Sequence, residues 1–321
     1  MKKTIVTTTI YEPSQALCDF ANMSGWSLII IGDKKTPNDS HENFASEHES
    51  VRFIAADEQE STYPELSSLI GWNNIQRRNI GFVEAVRGGA NIIASIDDDN
   101  IPYKSWGKET LIWWRYKNTV KQYKTDDSIC FDPLSVTNYP HLWHRGFPLQ
   151  ILSKRKLLKD SDYNCVISNE SETFDIQADF WDGDPDIDAV CRMQFAPECD
   201  FNASCFPFTS DSMFSPFNSQ NTFFSRRVMN NYFVFPHVGR MDDIWASYYV
   251  EALGYNVVYN KPTVYQDRNE QDLTKNLTDE FIGYENNERL LYALRDNPDN
   301  IKEFLPQQSW EAFMAYRDCF K

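Results

Sequence analysis

Residues 90–100 read ANIIASIDDDN. An apolar run, Ile92 to Ile96, passes directly into three carboxylates, Asp97, Asp98 and Asp99. The run reads as a strand, which puts the acids at its carboxyl end, where ligands settle in open α/β sheets. Adjacent like charges repel one another, and a bound cation offsets that cost. In extended chain, alternate residues face the same way, so Asp97 and Asp99 are expected to converge while Asp98 points elsewhere. Two oxygen ligands from protein are what Mg2+ or Mn2+ takes when substrate phosphates complete the shell. Asp98 is then left to hydrogen-bond a ribose or sugar hydroxyl. The competing reading is a solvated acidic turn, with Asn100 and Pro102 as turn residues.

Elements before this stretch give it a frame. KTIVTTTI (3–10) is β-branched and reads as a strand; PSQALCDFANM (13–23) has helical spacing after a Pro; WSLIIIGD (26–33) is an apolar strand ended by Gly-Asp. VRFIAA (51–56) reads as a strand and NNIQRRNIGFVEAVRGG (73–89) as a helix closed by Gly88-Gly89. The order β-α-β-β-α-β predicts a mostly parallel sheet with flanking helices. Thr8, Asp33 and the acid triplet would then share one rim. Downstream, a helix is expected within SWGKETLIWWRYKNTV (105–120), a shaped loop over 139–152, strands within 160–180, a strand running into a short helix over 218–234, a helix over 241–254, and a strand and turn over 255–266. The division expected is a nucleotide-binding unit, 1–265, and a helical extension packing on it, 266–321.

Composition narrows the function. The 321 residues carry a net charge of −16, which repels nucleic acid. No apolar run is long enough to span a membrane, and the N-terminal stretch lacks a signal-peptide pattern, so a cytoplasmic protein is expected. The cysteine count is odd, seven, with no C-x-x-C pair, as for reduced thiols.

Further polar clusters fall at chosen points. Arg77 is a candidate for a nucleotide phosphate or base, and Asp33 for a nucleobase or ribose. Arg145 lies beside Gly146, which permits close approach to a ligand. FWDGDPDIDAVCRM (180–193) fails the calcium-loop pattern, with Ile187 and Met193 where Gly and Glu belong, leaving Asp186 and Asp188 for sugar hydroxyls. Asp243, opening a helix, is a candidate general base, and equally a residue placed to suit the helix dipole.

The stretches QRRNIGFVEAVRGGANIIASIDDDN, GDKKTP, GDPDIDAVCRM and GRMDDIWAS resemble the STELLO-type glycosyltransferase-like proteins. Weaker similarity reaches the reversibly glycosylated polypeptides, the UDP-arabinopyranose mutases, through Asp97-Asp98-Asp99, Arg145-Gly146-Phe147-Pro148, Pro185-Asp186-Ile187-Asp188-Ala189 and Asp242-Asp243-Ile244-Trp245-Ala246. Phe147 stands where the mutases carry Tyr. The resemblance implies a GT-A-type nucleotide-diphospho-sugar fold, a metal-bridged diphosphate, and Arg145 as counterpart of the arginine that the mutases glycosylate. The expected activity is a metal-dependent glycosyltransferase moving a sugar from a UDP-linked donor to a glycan or lipid-linked acceptor, by analogy in surface polysaccharide synthesis, with a homo-oligomer left open. Asp97 and Asp99 would hold Mn2+ or Mg2+; Thr8, Asp33, Arg77 and Asp98 the nucleotide; Asp186 and Asp188 the sugar; Asp243 the acceptor hydroxyl. A UDP-sugar mutase self-glycosylated at Arg145 and a non-catalytic sugar-nucleotide-binding scaffold are the alternatives.

Overall fold

The computed structural model describes residues 1–112, 119–125, 128–159, 161–168, 174–267 and 271–321. Its strands are β1 (Lys3–Thr9), β2 (Ser27–Gly32), β3 (Val51–Ile54), β4 (Ile92–Ile96), β5 (Asn100–Pro102), β6 (Thr119–Tyr123), β7 (Tyr163–Ser168), β8 (Ile176–Gly183), β9 (Phe208–Ser210), β10 (Asn221–Ser225) and β11 (Val257–Gln266). Its α-helices are α1 (Gln15–Ala21), α2 (Asn38–Glu47), α3 (Ala56–Thr62), α4 (Pro64–Ile70), α5 (Arg78–Arg87), α6 (Ala189–Gln194), α7 (Asp242–Ala252), α8 (Leu273–Asp296) and α9 (Gln307–Asp318).

One sheet runs β3-β2-β1-β4-β10-β8-β11-β9-β6-β7, with β5 pairing β11. The four strands β3, β2, β1 and β4 are parallel, as expected from the α/β pattern, and β10 then joins β4 antiparallel. Every residue of β4 is buried, as are Leu28 to Gly32 of β2, which is why these strands read as continuous apolar runs. Parallel neighbours need a crossover, and α2 supplies it between β2 and β3. Its sequence, NDSHENFASE, buries only His41 and Phe44, too little to announce a helix by periodicity.

The helix expected over 105–120 is corrected: 104–108 form turns and β6 begins at Thr119, while 113–118 lie outside the described residues. The helix expected at 241–254 is α7, and the strand and turn at 255–266 are the single strand β11, bulged between Asn260 and Val264 around Pro262. The polar C-terminal stretch is helical, as α8 and α9, and α9 packs on α4 near the front of the chain.

Helix α5 is drawn close to the sheet at Gly81, where an added Cβ would enter the Val6 side chain. Gly81→Ala should therefore cost about 1–3 kcal/mol through overpacking. A urea midpoint unchanged from wild type would contradict that close approach.

Candidate functional site

A cleft opens over the carboxyl ends of β1, β2 and β4. Its outer half, about 240 Å³, is walled by Thr8 to Tyr11, Asp33, Lys35, Asn73 to Ile75, Arg77 and Asp98. Its inner half, about 410 Å³, is walled by Asp97, Arg145, Asp186, Asp242, Asp243, Asp279 and Arg240, among others. Asn74 and Ile75 belong to both walls, and the neighbours Asp97 and Asp98 face one half each.

The acid triplet departs from the extended geometry expected of it. Strand β4 stops at Ile96, and the amide of Asn100 donates to the Asp97 carbonyl, closing a turn over 97–100. The turn breaks the alternation, so Asp97 and Asp98 line the cleft while Asp99 is in neither wall, its Oδ1 shielded from solvent. The turn is anchored from both sides: Asp97 is ion-paired to the buried Arg78 at 2.7 Å, and Ser14 donates to the Asp98 carbonyl. Burial, foremost, raises the Asp98 carboxyl above its ordinary range.

In the outer half, Asp33 accepts from the amides of Lys34 and Asn73. Asn73 sits at φ 61°, a turn geometry that asparagine tolerates. Exposed Ile10, Tyr11 and Ile75 give this half an apolar rim. Arg77 is present but unavailable. Its Nε donates to Gln59, Nη1 to the carbonyls of Ser67 and Gly71, and Nη2 to Gln59 and the Ser67 hydroxyl, which engages all five guanidinium N–H groups. Its plane also stacks on Trp72, 3.7 Å from the ring centroid. Arg77 shapes the wall, and the phosphate contact expected of it has no donor left to make it. Lys35, exposed in the same wall, makes no side-chain hydrogen bond or ion pair among the described residues.

The inner half is organised around Arg145. Its Nε and Nη2 grip Asp186 at 2.7–3.0 Å; Nη1 and Nη2 reach Asp243 at 2.9 and 3.3 Å; Nη1 also donates to the Arg240 carbonyl. Asp186 further receives Asn218, and Asp243 the amide and hydroxyl of Ser219. Against the desolvation of a fully buried site, Arg145 holds the Asp243 carboxyl below the usual carboxylate range. A carboxylate so held is a weak proton acceptor, which counts against Asp243 as the general base.

Asp242 behaves in the opposite way. Burial first, and then the charge of Asp243, push its carboxyl up to about 7. Its Oδ2 accepts from Gln76 at 2.6 Å, and Arg145 comes no nearer than 4.0 Å. The sequence points to Asp243 and not to Asp242 as a candidate base, and α7 has no side-chain N-cap bond, its N-cap position being Met241. The available signal was the pair itself, since two adjacent buried carboxylates cannot both ionise readily.

Asp188 is corrected. It caps α6, accepting from the amides of Val190 and Cys191, and is absent from both walls. His237 is likewise outside them, with its Nε2 against the Leu69 carbonyl.

Helix α8 closes the inner half. Its fully buried Glu280 accepts from Arg240 Nε, the Ala189 amide and the Tyr284 hydroxyl, each at 2.9 Å, and Arg240 continues to Asp186 at 3.4 Å. Gly239, at φ 58°, lets the chain pass against the Asp279 carbonyl, where a Cβ would collide with backbone.

Burial drives the carboxyls of Asp179, Asp188 and Asp242 from 3.8 to about 7. The folded state then binds these protons more tightly than the unfolded state, so their contribution to stability declines as pH rises from about 4 to about 7 and stays lost above it. Urea unfolding should give a lower stability at pH 8 than at pH 5; the reverse order would contradict it.

No protein-family model matches the chain. The chain is similar to a STELLO protein. It is 24% identical to the probable glycosyltransferase STELLO2 of Arabidopsis thaliana over 199 residues, 59% of this chain and 24% of that protein's length. Among solved structures it overlaps glucosyl-3-phosphoglycerate synthase from Mycobacterium tuberculosis in complex with phosphoglyceric acid, with TM-score 0.43, 12% identity and coverage of 92% of this chain and 80% of that one. It also overlaps a mannosyltransferase from Pyrobaculum calidifontis in complex with GDP-Man and Mn2+, with TM-score 0.39, 10% identity and coverage of 99% and 85%. Overlaps at this level carry no residue-by-residue correspondence. Among the described residues, no helix is long and apolar enough to cross a membrane.

Proposed function

We propose that the protein is a glycosyltransferase of GT-A type whose cleft binds a nucleotide-diphosphate sugar, UDP-linked, and transfers the sugar to a hydroxyl. The observation that carries this reading is the two-part cleft at the strand ends, with the acid turn at the junction and a buried, proton-holding carboxyl beyond it. The similarity to a probable glycosyltransferase agrees with it.

In this reading the nucleoside lies in the outer half, against Thr8, Tyr11 and Asp33, with Lys35 near the phosphates. The sugar and the acceptor lie in the inner half. Among the described residues, no three His, Cys, Asp or Glu side chains form a metal cage. The turn nevertheless fits a cation held jointly with a diphosphate, because among the described residues Asp97 Oδ2 makes no hydrogen bond while its Oδ1 is fixed by Arg78. Asp97 and Asp98, rather than Asp97 and Asp99, would hold Mn2+ or Mg2+, which supplies charge stabilisation to the departing diphosphate. Asp242, deprotonated above about pH 7, accepts the acceptor's proton as the new glycosidic bond forms. Gln76 fixes its carboxyl, and the clamp of Arg145 on Asp186 and Asp243 keeps the surrounding wall rigid.

Thermal unfolding with UDP and Mn2+, together and singly, tests the reading. A ligand at about 100 times its Kd adds about 2.7 kcal/mol to the folded state, so UDP with Mn2+ should raise Tm by several degrees. No shift with any combination would sink it.

The mutase alternative keeps one point of support, the place of Arg145 in the inner wall. Its guanidinium is fully engaged, so glycosylation there would require breaking bonds to two buried carboxylates.

A further inference from the structure

The inner half shows an imbalance of charge that bears on what enters it. Its wall presents Asp97, Asp186, Asp242, Asp243 and Asp279 against the guanidinium groups of Arg145 and Arg240, with Arg78 paired to Asp97 from behind the wall. Arg145 has no donor to spare. Arg240, whose Nη1 makes no hydrogen bond among the described residues, is flanked by two carboxylates, Asp186 and Glu280, which offset its charge. The half-buried Asp279 side chain makes no hydrogen bond or ion pair among the described residues, so it remains an open acceptor on the cleft wall. Lys35, which makes no side-chain hydrogen bond or ion pair among the described residues, belongs to the other half. A phosphate or carboxylate in the inner half would meet a wall whose acids outnumber its cations, whereas a hydroxyl can donate to them.

We infer that the inner half of the cleft takes an uncharged, hydroxyl-bearing group, of the kind a sugar ring presents, and turns away anionic groups. This rests on the transferase reading for its role as the acceptor side, but not for its chemistry. Anionic parts of a ligand are left to the outer half and the acid turn.

The test is an NMR titration of the full chain with glucose, glucosamine, glucuronate and glucose 6-phosphate, each with and without UDP and Mn2+. Glucose is expected to bind at least about tenfold more tightly than glucuronate or glucose 6-phosphate, from Coulomb repulsion at short range. Glucosamine binding as well as or better than glucose supports the same sign. Asp279→Lys, at a position whose side chain bonds nothing among the described residues, is expected to improve glucuronate binding by about tenfold, and added salt to narrow the gap in the wild type. Glucuronate or glucose 6-phosphate matching glucose, no sugar binding at all, or no gain in Asp279→Lys would each overturn the inference. A charge-ordered sugar series in a protein that ignores UDP would retain it and remove the nucleotide reading alone.

Discussion

Asp242→Asn is expected to lower sugar transfer by about 100- to 10,000-fold, the range typical of a lost general base. Asparagine keeps the size of the side chain and can still receive the Gln76 amide through its carbonyl oxygen, so the fold should survive. What disappears is a group that burial and the neighbouring Asp243 poise at about 7. Wild-type kcat/KM should rise with pH through about 7 as Asp242 gives up its proton, and the variant should lose that limb. A pH profile that keeps the limb after the substitution would reassign the base. Asp243→Asn serves as the contrast. Its carboxylate is the counter-ion of Arg145, and its loss should appear first in stability.

Arg145→Met should destabilise the protein by about 3–5 kcal/mol, because it leaves Asp186 and Asp243 buried without their cation. Methionine approximates the length of the arginine stem but returns none of the hydrogen bonds. Equilibrium urea unfolding at pH 7 reads the effect, and a loss under 1 kcal/mol would show that the clamp is not structural. Part of the loss should be recovered at pH 5, where protonation of Asp243 becomes easier once the guanidinium that holds its carboxyl low is gone.

Much of the front half of the fold was legible because its strands are buried on both faces and announce themselves as apolar runs, as β2 and β4 do. Helix α2 was not, since a helix that buries two side chains has no apolar stripe to read. The rim shared by Thr8, Asp33 and the acid turn followed from strand direction alone. The finer assignments depended on what each side chain touches, which spacing does not encode. Arg77 and Arg145 both look like free cations in the sequence, yet each spends every donor inside the protein. Asp188 looks like a partner of Asp186, but Asp186 lines the cleft while Asp188 stands at the start of α6 and caps it. The contribution of Glu280 was beyond reach, because it lies 91 residues from the amide of Ala189 that it receives.

That carboxylate ties the end of the chain to its working surface. Shortening the protein before α8 would strip Arg240 and the Ala189 amide of their shared acceptor and remove one side of the inner chamber. A chain that trades this stretch for another must therefore bring an acid to the same spot, or rebuild that side of the chamber.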